Sequence, residues 1–244
     1  MSSPLTGKIA LVTGGSRSIG AAIVRRLSAD GVKVAFTYSA SPEKAEALVK
    51  ELETTGGSVL AIKADSADVD AVRGAVARTA EHFGGLDILI NNAGILIRET
   101  VDNYDLADFD RMFAVNVRAV FVAAQAAARH MGEGGRIITI GSMVADRAGF
   151  PGTSVYAATK AAVAAMTRGL ARDLSPRGIT VNTVQPGPTL TDLTADYVET
   201  LVPMLPIGRV GKDSEIAGLV AYLAGPEAGY ITGSALTIDG GLTA

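Results

Sequence analysis

Lys8-Ile9-Ala10-Leu11-Val12-Thr13-Gly14-Gly15-Ser16-Arg17-Ser18-Ile19-Gly20-Ala21-Ala22-Ile23-Val24 is the stretch that decides the fold. Lys8–Thr13 is a short apolar run and reads as a buried strand; Ile19–Asp30 reads as a helix. A glycine-rich turn joins them. Strand, turn and helix start form the setting a bound phosphate needs, because backbone N–H groups and the positive helix end both face the anion. The spacing is Gly14-x-x-x-Ser18-x-Gly20 rather than G-x-G-x-x-G, so taken alone the turn also fits an ordinary strand-to-helix connection. Its candidate phosphate contacts are Gly14, Ser16, Arg17, Ser18 and Ile19.

Outward from that unit the same alternation continues. Further candidate strands are Lys33–Thr37, Ser58–Lys63, Leu86–Asn91, Arg136–Ile140, Ile179–Val184 and Ala235–Ile238. Helical candidates lie near Pro42–Thr54, Val69–Phe83, Asp105–Met131, Val155–Leu174 and Ser214–Leu223. Strands that are apolar throughout and separated by helices predict an α/β, doubly wound fold: a seven-stranded parallel sheet with helices on both faces. No linker or internal repeat divides the chain, so residues 1–244 read as one domain. The longest non-periodic stretch, Gln185–Gly211, carries Pro186, Pro188, Pro203 and Pro206 and is the candidate substrate loop.

Composition narrows the function classes. The chain has 244 residues, 48% of them hydrophobic, and a formal net charge of −3. No basic stripe with interleaved aromatics suggests nucleic acid. The absence of cysteine excludes disulfides, a thiol nucleophile and Cys-ligated metal. His82 and His130 fall near predicted helix ends with no third ligand in view, so no metal is expected. Apolar runs break well before the roughly 20 residues a bilayer span needs. With no signal-peptide architecture at the start, the expectation is a cytoplasmic protein away from membranes.

A dinucleotide site that prefers NAD carries an acid at the end of its second strand, bonded to the ribose 2′-OH. Here that region reads Phe36-Thr37-Tyr38-Ser39-Ala40-Ser41, without an acid, and Arg17 stands in the phosphate turn. A guanidinium and no repelling carboxylate favour NADP(H), with Tyr38 and Ser39 beside the ribose. Asp65-Ser66 follows the third strand, where it fits an adenine edge or a helix cap. Asn91-Asn92-Ala93-Gly94 follows the fourth, giving Asn91, Ala93 and Gly94 as further cofactor candidates or a plain turn.

The chemical end centres on Tyr156-Ala157-Ala158-Thr159-Lys160. Residues four apart share a helix face, and an ammonium beside a phenol is expected to lower its pKa from about 10. Ile137–Ser142 reads as a strand ending in a serine, at the sheet edge where doubly wound folds bind ligands.

Thr13–Gly20, Asn91–Gly94, Asn116, Ser142, Tyr156 with Lys160, and Pro186-Gly187 occur in one order over nearly the whole chain. Through them the sequence resembles the classical short-chain dehydrogenase/reductase family. The resemblance implies a Rossmann-type domain acting on CH–OH/C=O groups. It makes Tyr156 the general acid in ketone reduction, Lys160 its electrostatic partner and ribose contact, Ser142 the holder of the substrate oxygen, and Asn116 the support of a water-linked proton path. Pro186, Gly187 and Thr189 would lie against the nicotinamide, with Thr191 reaching its carboxamide or the diphosphate. The implied substrate is a small ketone or alcohol, free or carried on an acyl-carrier protein. That acidic partner would dock on surface arginines such as Arg98, Arg129, Arg147, Arg168 and Arg172. A homotetramer is implied as well.

Three departures from the family pattern stand out. Ser18 replaces a glycine of the phosphate turn, Ser142 precedes Tyr156 by one residue more than expected, and Thr189 stands where an aliphatic residue is usual. Phe150, Met143, Leu190, Leu193 and Tyr197 are candidates for an apolar substrate wall. Gly14–Arg26, Phe36–Tyr38, Gln185–Pro188 and Ile231–Gly240 also resemble a cyclic-di-GMP-binding branch associated with biofilm dispersal, so a cyclic-dinucleotide-binding regulator on the same scaffold is the rival reading.

Overall fold

The computed structural model describes residues 3–191 and 194–244. Among them seven strands form one parallel sheet: β1 (Ile9–Val12), β2 (Lys33–Tyr38), β3 (Val59–Lys63), β4 (Ile88–Asn91), β5 (Arg136–Ile140), β6 (Thr180–Pro186) and β7 (Ala235–Ile238). Their spatial order is β3-β2-β1-β4-β5-β6-β7. Eight α-helices accompany them among the described residues: α1 (Ser18–Ala29), α2 (Pro42–Thr54), α3 (Val69–Phe83), α4 (Leu106–Phe113), α5 (Ala119–Ala127), α6 (Ser154–Leu174), α7 (Val198–Leu201) and α8 (Asp213–Ala224).

The strands are apolar throughout because both sheet faces are covered. Ala10 and Val12 of β1, Ile88 and Ile90 of β4, and Ile138 and Ile140 of β5 turn toward α1, α2 and α8. The intervening Leu11, Leu89 and Ile137 turn toward α3, α5 and α6. Strand order reverses between β1 and β4, and at such a switch point the loops leaving the carboxyl ends diverge and open a crevice. That crevice holds the candidate site.

Two segments differ from the sequence expectation. The helix expected over Asp105–Met131 is α4 and α5 joined by a π turn, Ala114–Arg118, and it ends at Ala127. Ala-Val-Asn-Val-Arg is compatible with an ordinary helix, so periodicity carries no mark of the wider turn; the contacts of Asn116 described below hold it. The segment 185–211 contains α7 between two 3-10 turns, Ala195–Tyr197 and Val202–Met204. Pieces of three or four residues are too short for a periodic pattern. The base of this loop is pinned, since Leu190 N–H donates to the Gly211 carbonyl and Gly211 N–H to the Pro188 carbonyl, each at 2.9 Å. Among the described residues no helix is long and apolar enough to cross a membrane, and no three His, Cys, Asp or Glu side chains cluster to hold a metal.

Candidate active site

The ends of β1 and β4 are tied together before any ligand is considered. Thr13 Oγ1 accepts the N–H groups of Asn92 and Ala93, both at 3.0 Å, and Asn92 Nδ2 donates to the carbonyls of Thr13 (3.0 Å) and Gly14 (2.9 Å). Gly14 N–H donates to Thr37 Oγ1 at 2.9 Å, fixing the turn to β2. Close backbone approach dictates the glycines here: a Cβ on Gly14 would lie 2.9 Å from Ala93 Cα, and one on Gly20 would run into the Gly14 carbonyl oxygen.

Ser18 opens α1 with φ +48°, the left-handed region that suits glycine. The serine therefore carries strain of roughly 1 kcal/mol. Its Oγ is buried and has no hydrogen-bond partner. That hydroxyl stands at a helix N-terminus with its hydrogen-bonding capacity unused, where an anion is favoured.

The chemical groups stand on the next strand ends. Ser142 follows β5 by two residues, and its Oγ accepts Val144 N–H at 3.3 Å as the chain turns away. Tyr156 and Lys160 lie on one face of α6, with Lys160 Nζ 5.6 Å from the Tyr156 ring centroid. Lys160 is 5% exposed and donates to the Ile140 carbonyl at 2.9 Å. Burial pushes its ammonium down to about 8. Tyr156 runs against the expected direction. Burial pushes its phenol up to about 12, and a hydrogen bond from Ser142 and the charge of Arg98 only partly oppose this. Burial decides the direction, because a phenolate, like an ammonium, loses solvation in a packed site, and the opposing influences come from Ser142 and Arg98 rather than from Lys160.

Asn116 sits at the centre of the π turn and is 2% exposed. Its Oδ1 accepts Ile95 N–H at 2.9 Å, while Nδ2 donates to the Ile95 carbonyl (2.9 Å) and to Thr159 Oγ1 (3.1 Å). Asn116 thus clamps the loop after β4 to α6. A Cβ on Gly94 would lie 3.4 Å from Asn116 Oδ1 and 3.6 Å from Lys160 Nζ, in ordinary contact with both, so this backbone passes directly over the two groups.

One cleft of about 480 Å³ joins the two ends. Gly14, Ser16, Arg17, Ser18, Ile19, Tyr38, Ser39, Asp65, Ser66, Ala93, Gly94, Ser142, Tyr156, Lys160, Pro186, Gly187, Thr189 and Thr191 all line it. Asn91 does not; it is buried in β4 with Nδ2 3.5 Å from Thr139 Oγ1, and its neighbour Asn92 takes the lining position. Asn116 lies beneath the wall rather than on it. Of the candidate apolar wall, Met143 and Phe150 line the cleft, Leu190 and Tyr197 are about half exposed and do not, and Leu193 lies outside the described residues. Thr37, Leu96, Val144, Leu201 and Arg111 also line it without having been anticipated there, and Arg98, a candidate docking arginine in the sequence, lines it too. Arg111 precedes Val115 by one helical turn, a spacing the sequence does carry, whereas Arg98 reaches the cleft from an irregular loop.

A family model described as enoyl-(acyl carrier protein) reductase matches residues 14–243. A short-chain dehydrogenase/reductase from Serratia marcescens superimposes with a TM-score of 0.96 at 59% identity, covering 99% of this chain and 100% of that one. The chain belongs to the short-chain dehydrogenase/reductase family. Another family structure, a short chain dehydrogenase from Burkholderia cenocepacia in complex with NADP, shares 55% identity and a TM-score of 0.95, with coverage of 99% and 100%. Among curated family relatives, the cyclic-di-GMP-binding biofilm dispersal mediator protein of Escherichia coli is 48% identical over 238 residues, 96% of this chain and 97% of that protein.

Proposed function

We propose that this protein reduces a ketone to a secondary alcohol with NADP(H), Tyr156 acting as the general acid. The observation that carries this reading is one cleft shared by the glycine-rich turn and the packed Tyr156–Lys160 pair. The cleft fits the cofactor. The first amides of α1 and the orphaned Ser18 hydroxyl would hold the diphosphate, and Arg17 with Ser39 would face a 2′-phosphate, there being no acid between Tyr38 and Ser41 to repel it. The Burkholderia cenocepacia relative, bound to NADP, supports the same choice.

When bound, the dihydronicotinamide supplies the hydride. Ser142 would hold the carbonyl oxygen. Tyr156, kept protonated by a pKa pushed up to about 12, would give its proton to that oxygen as negative charge develops there. Lys160, held by the Ile140 carbonyl, would stabilise the phenolate left behind. Asn116 is a positioning residue on this reading: both Nδ2 protons are already committed to Ile95 and Thr159.

The test is NADPH consumption against a panel of ketones, repeated with NADH. Turnover faster with NADPH is expected. NADPH binding without oxidation by any ketone would defeat the reading, and tight cyclic-di-GMP binding without turnover would promote the regulator in its place. The Ser142, Tyr156 and Lys160 set favours chemistry, since a pure binder gains nothing from burying a phenol against an ammonium. A homotetramer is part of the proposal: β7 is one of the sheet's two edge strands, and Tyr230, shortly before it in the chain, is fully exposed. Light scattering showing a monomer would contradict it.

A further inference from the structure

Arg98 is a charge that the reaction, as described, does not use. It lies four residues after Gly94, on the loop that Asn116 clamps, and it lines the same cleft as Ser142 and Tyr156. Its guanidinium carbon sits 5.7 Å from the ring centroid of Tyr197, in the loop over the cleft. No ion pair with an acid holds it among the described residues. The five N–H donors of a guanidinium lie in its plane, so an aromatic neighbour steadies the group without consuming them. Its charge also acts on the Tyr156 hydroxyl, which puts it within electrostatic reach of the reacting atoms.

Besides Arg98, the cations that line the cleft are Lys160, held by the Ile140 carbonyl, Arg17 at the glycine-rich turn and Arg111 on α4. Met143, Val144, Phe150, Leu96 and Leu201 supply the walls. Asp65 is the acid among the described lining residues, and it belongs to the far end of the cleft, after β3. Apolar walls with a guanidinium steadied by an aromatic ring match a substrate with an apolar body and an anionic group.

Resting on the reductase reading, we propose that the ketone carries a carboxylate, which Arg98 binds while Ser142 and Tyr156 engage the carbonyl oxygen. Bidentate geometry makes arginine suited to this anion. A carboxylate joined directly or by a short chain to the ketone fits, because Arg98 lines the same cleft as Tyr156 and its charge reaches the Tyr156 hydroxyl. A neutral ester of the same acid would fit the walls and leave the guanidinium without a partner.

The test uses phenylglyoxylate and its methyl ester as matched ketones, with NADPH, on the full-length protein and on Arg98→Gln. The parent is expected to favour the acid over the ester in kcat/KM by about tenfold or more, from a charge-assisted hydrogen bond. Arg98→Gln should erase that preference, mainly through KM for the acid, while NADPH binding stays at the parent level; the ester reports any separate effect of the lost charge on Tyr156, so the acid-to-ester ratio carries the test. Calorimetry with benzoate, which carries the anion but no ketone, should show binding to the parent–NADP⁺ complex and none to the Arg98→Gln complex. Equal turnover of acid and ester by the parent overturns the proposal, as does an Arg98→Gln protein that keeps the preference. Reduction of neutral ketones alone also overturns it and leaves the reductase reading standing. No reduction of any ketone defeats both.

Discussion

The proposed cofactor end and the proposed substrate end of the cleft are built in different ways. The cofactor end is made of backbone: Gly14 and Gly20 pressed against neighbouring main chain, amides at the start of α1, and strand ends locked by Thr13 and Asn92. The substrate end is made of side chains on irregular loops, with Arg98 steadied by Tyr197 and short helical turns within 185–211. The first tolerates almost no added atom. The second can change its side chains without moving the sheet, which is how one scaffold serves different substrates.

The largest effect expected from breaking this contrast is at Gly20. Gly20→Ala forces a methyl into the Gly14 carbonyl and should cost about 3 kcal/mol or more together with loss of NADPH binding; a stable variant with unchanged affinity would show the turn to be soft. Next comes Lys160→Met, read as stability against pH. A lysine whose folded pKa is lowered from 10.5 to about 8 binds fewer protons folded than unfolded across that window. Parent stability should therefore rise with pH there, moving the gap between parent and Lys160→Met in the parent's favour by about 1–3 kcal/mol from pH 7 to pH 10. Tyr156 acts in the opposite direction above pH 10, but it is present in both proteins and cancels. A pH-independent gap in denaturant melts would mean that Lys160 is better solvated than its burial implies.

Ser18→Gly should separate stability from binding. Removing the strained φ should raise stability by about 1 kcal/mol, while loss of the buried hydroxyl should weaken NADPH by about tenfold. Unchanged affinity would mean that the hydroxyl does not meet the phosphate. The smallest effect belongs to the side-chain-built end: Tyr197→Ala, half exposed, should leave stability within about 0.5 kcal/mol and raise KM for a carboxylate ketone. A large drop in melting temperature would place Tyr197 in the fold rather than the substrate loop.

The same contrast explains what could be read in advance. Strands with apolar residues on both faces, and glycines at the β1–α1 turn, leave a local mark in the sequence, so the sheet and most of the cofactor end were legible. Tyr156 and Lys160 were legible as a helical i,i+4 pair. The sign of the Tyr156 shift was not, because desolvation depends on how deeply the groups are packed. Asn91 and Asn92 look interchangeable in sequence, and only strand register sends one into the core and the other to the cleft. The π turn at Asn116 is held by Ile95, 21 residues away, and Arg98 meets Tyr197 only through tertiary folding.

The most direct measurement of the central claim compares Tyr156→Phe with the parent for NADPH binding and for ketone reduction at neutral pH. The account predicts retained NADPH affinity with reduction slowed by at least about a hundredfold, since the variant keeps the ring against Lys160 but has no proton to give. Reduction at the parent rate would contradict it.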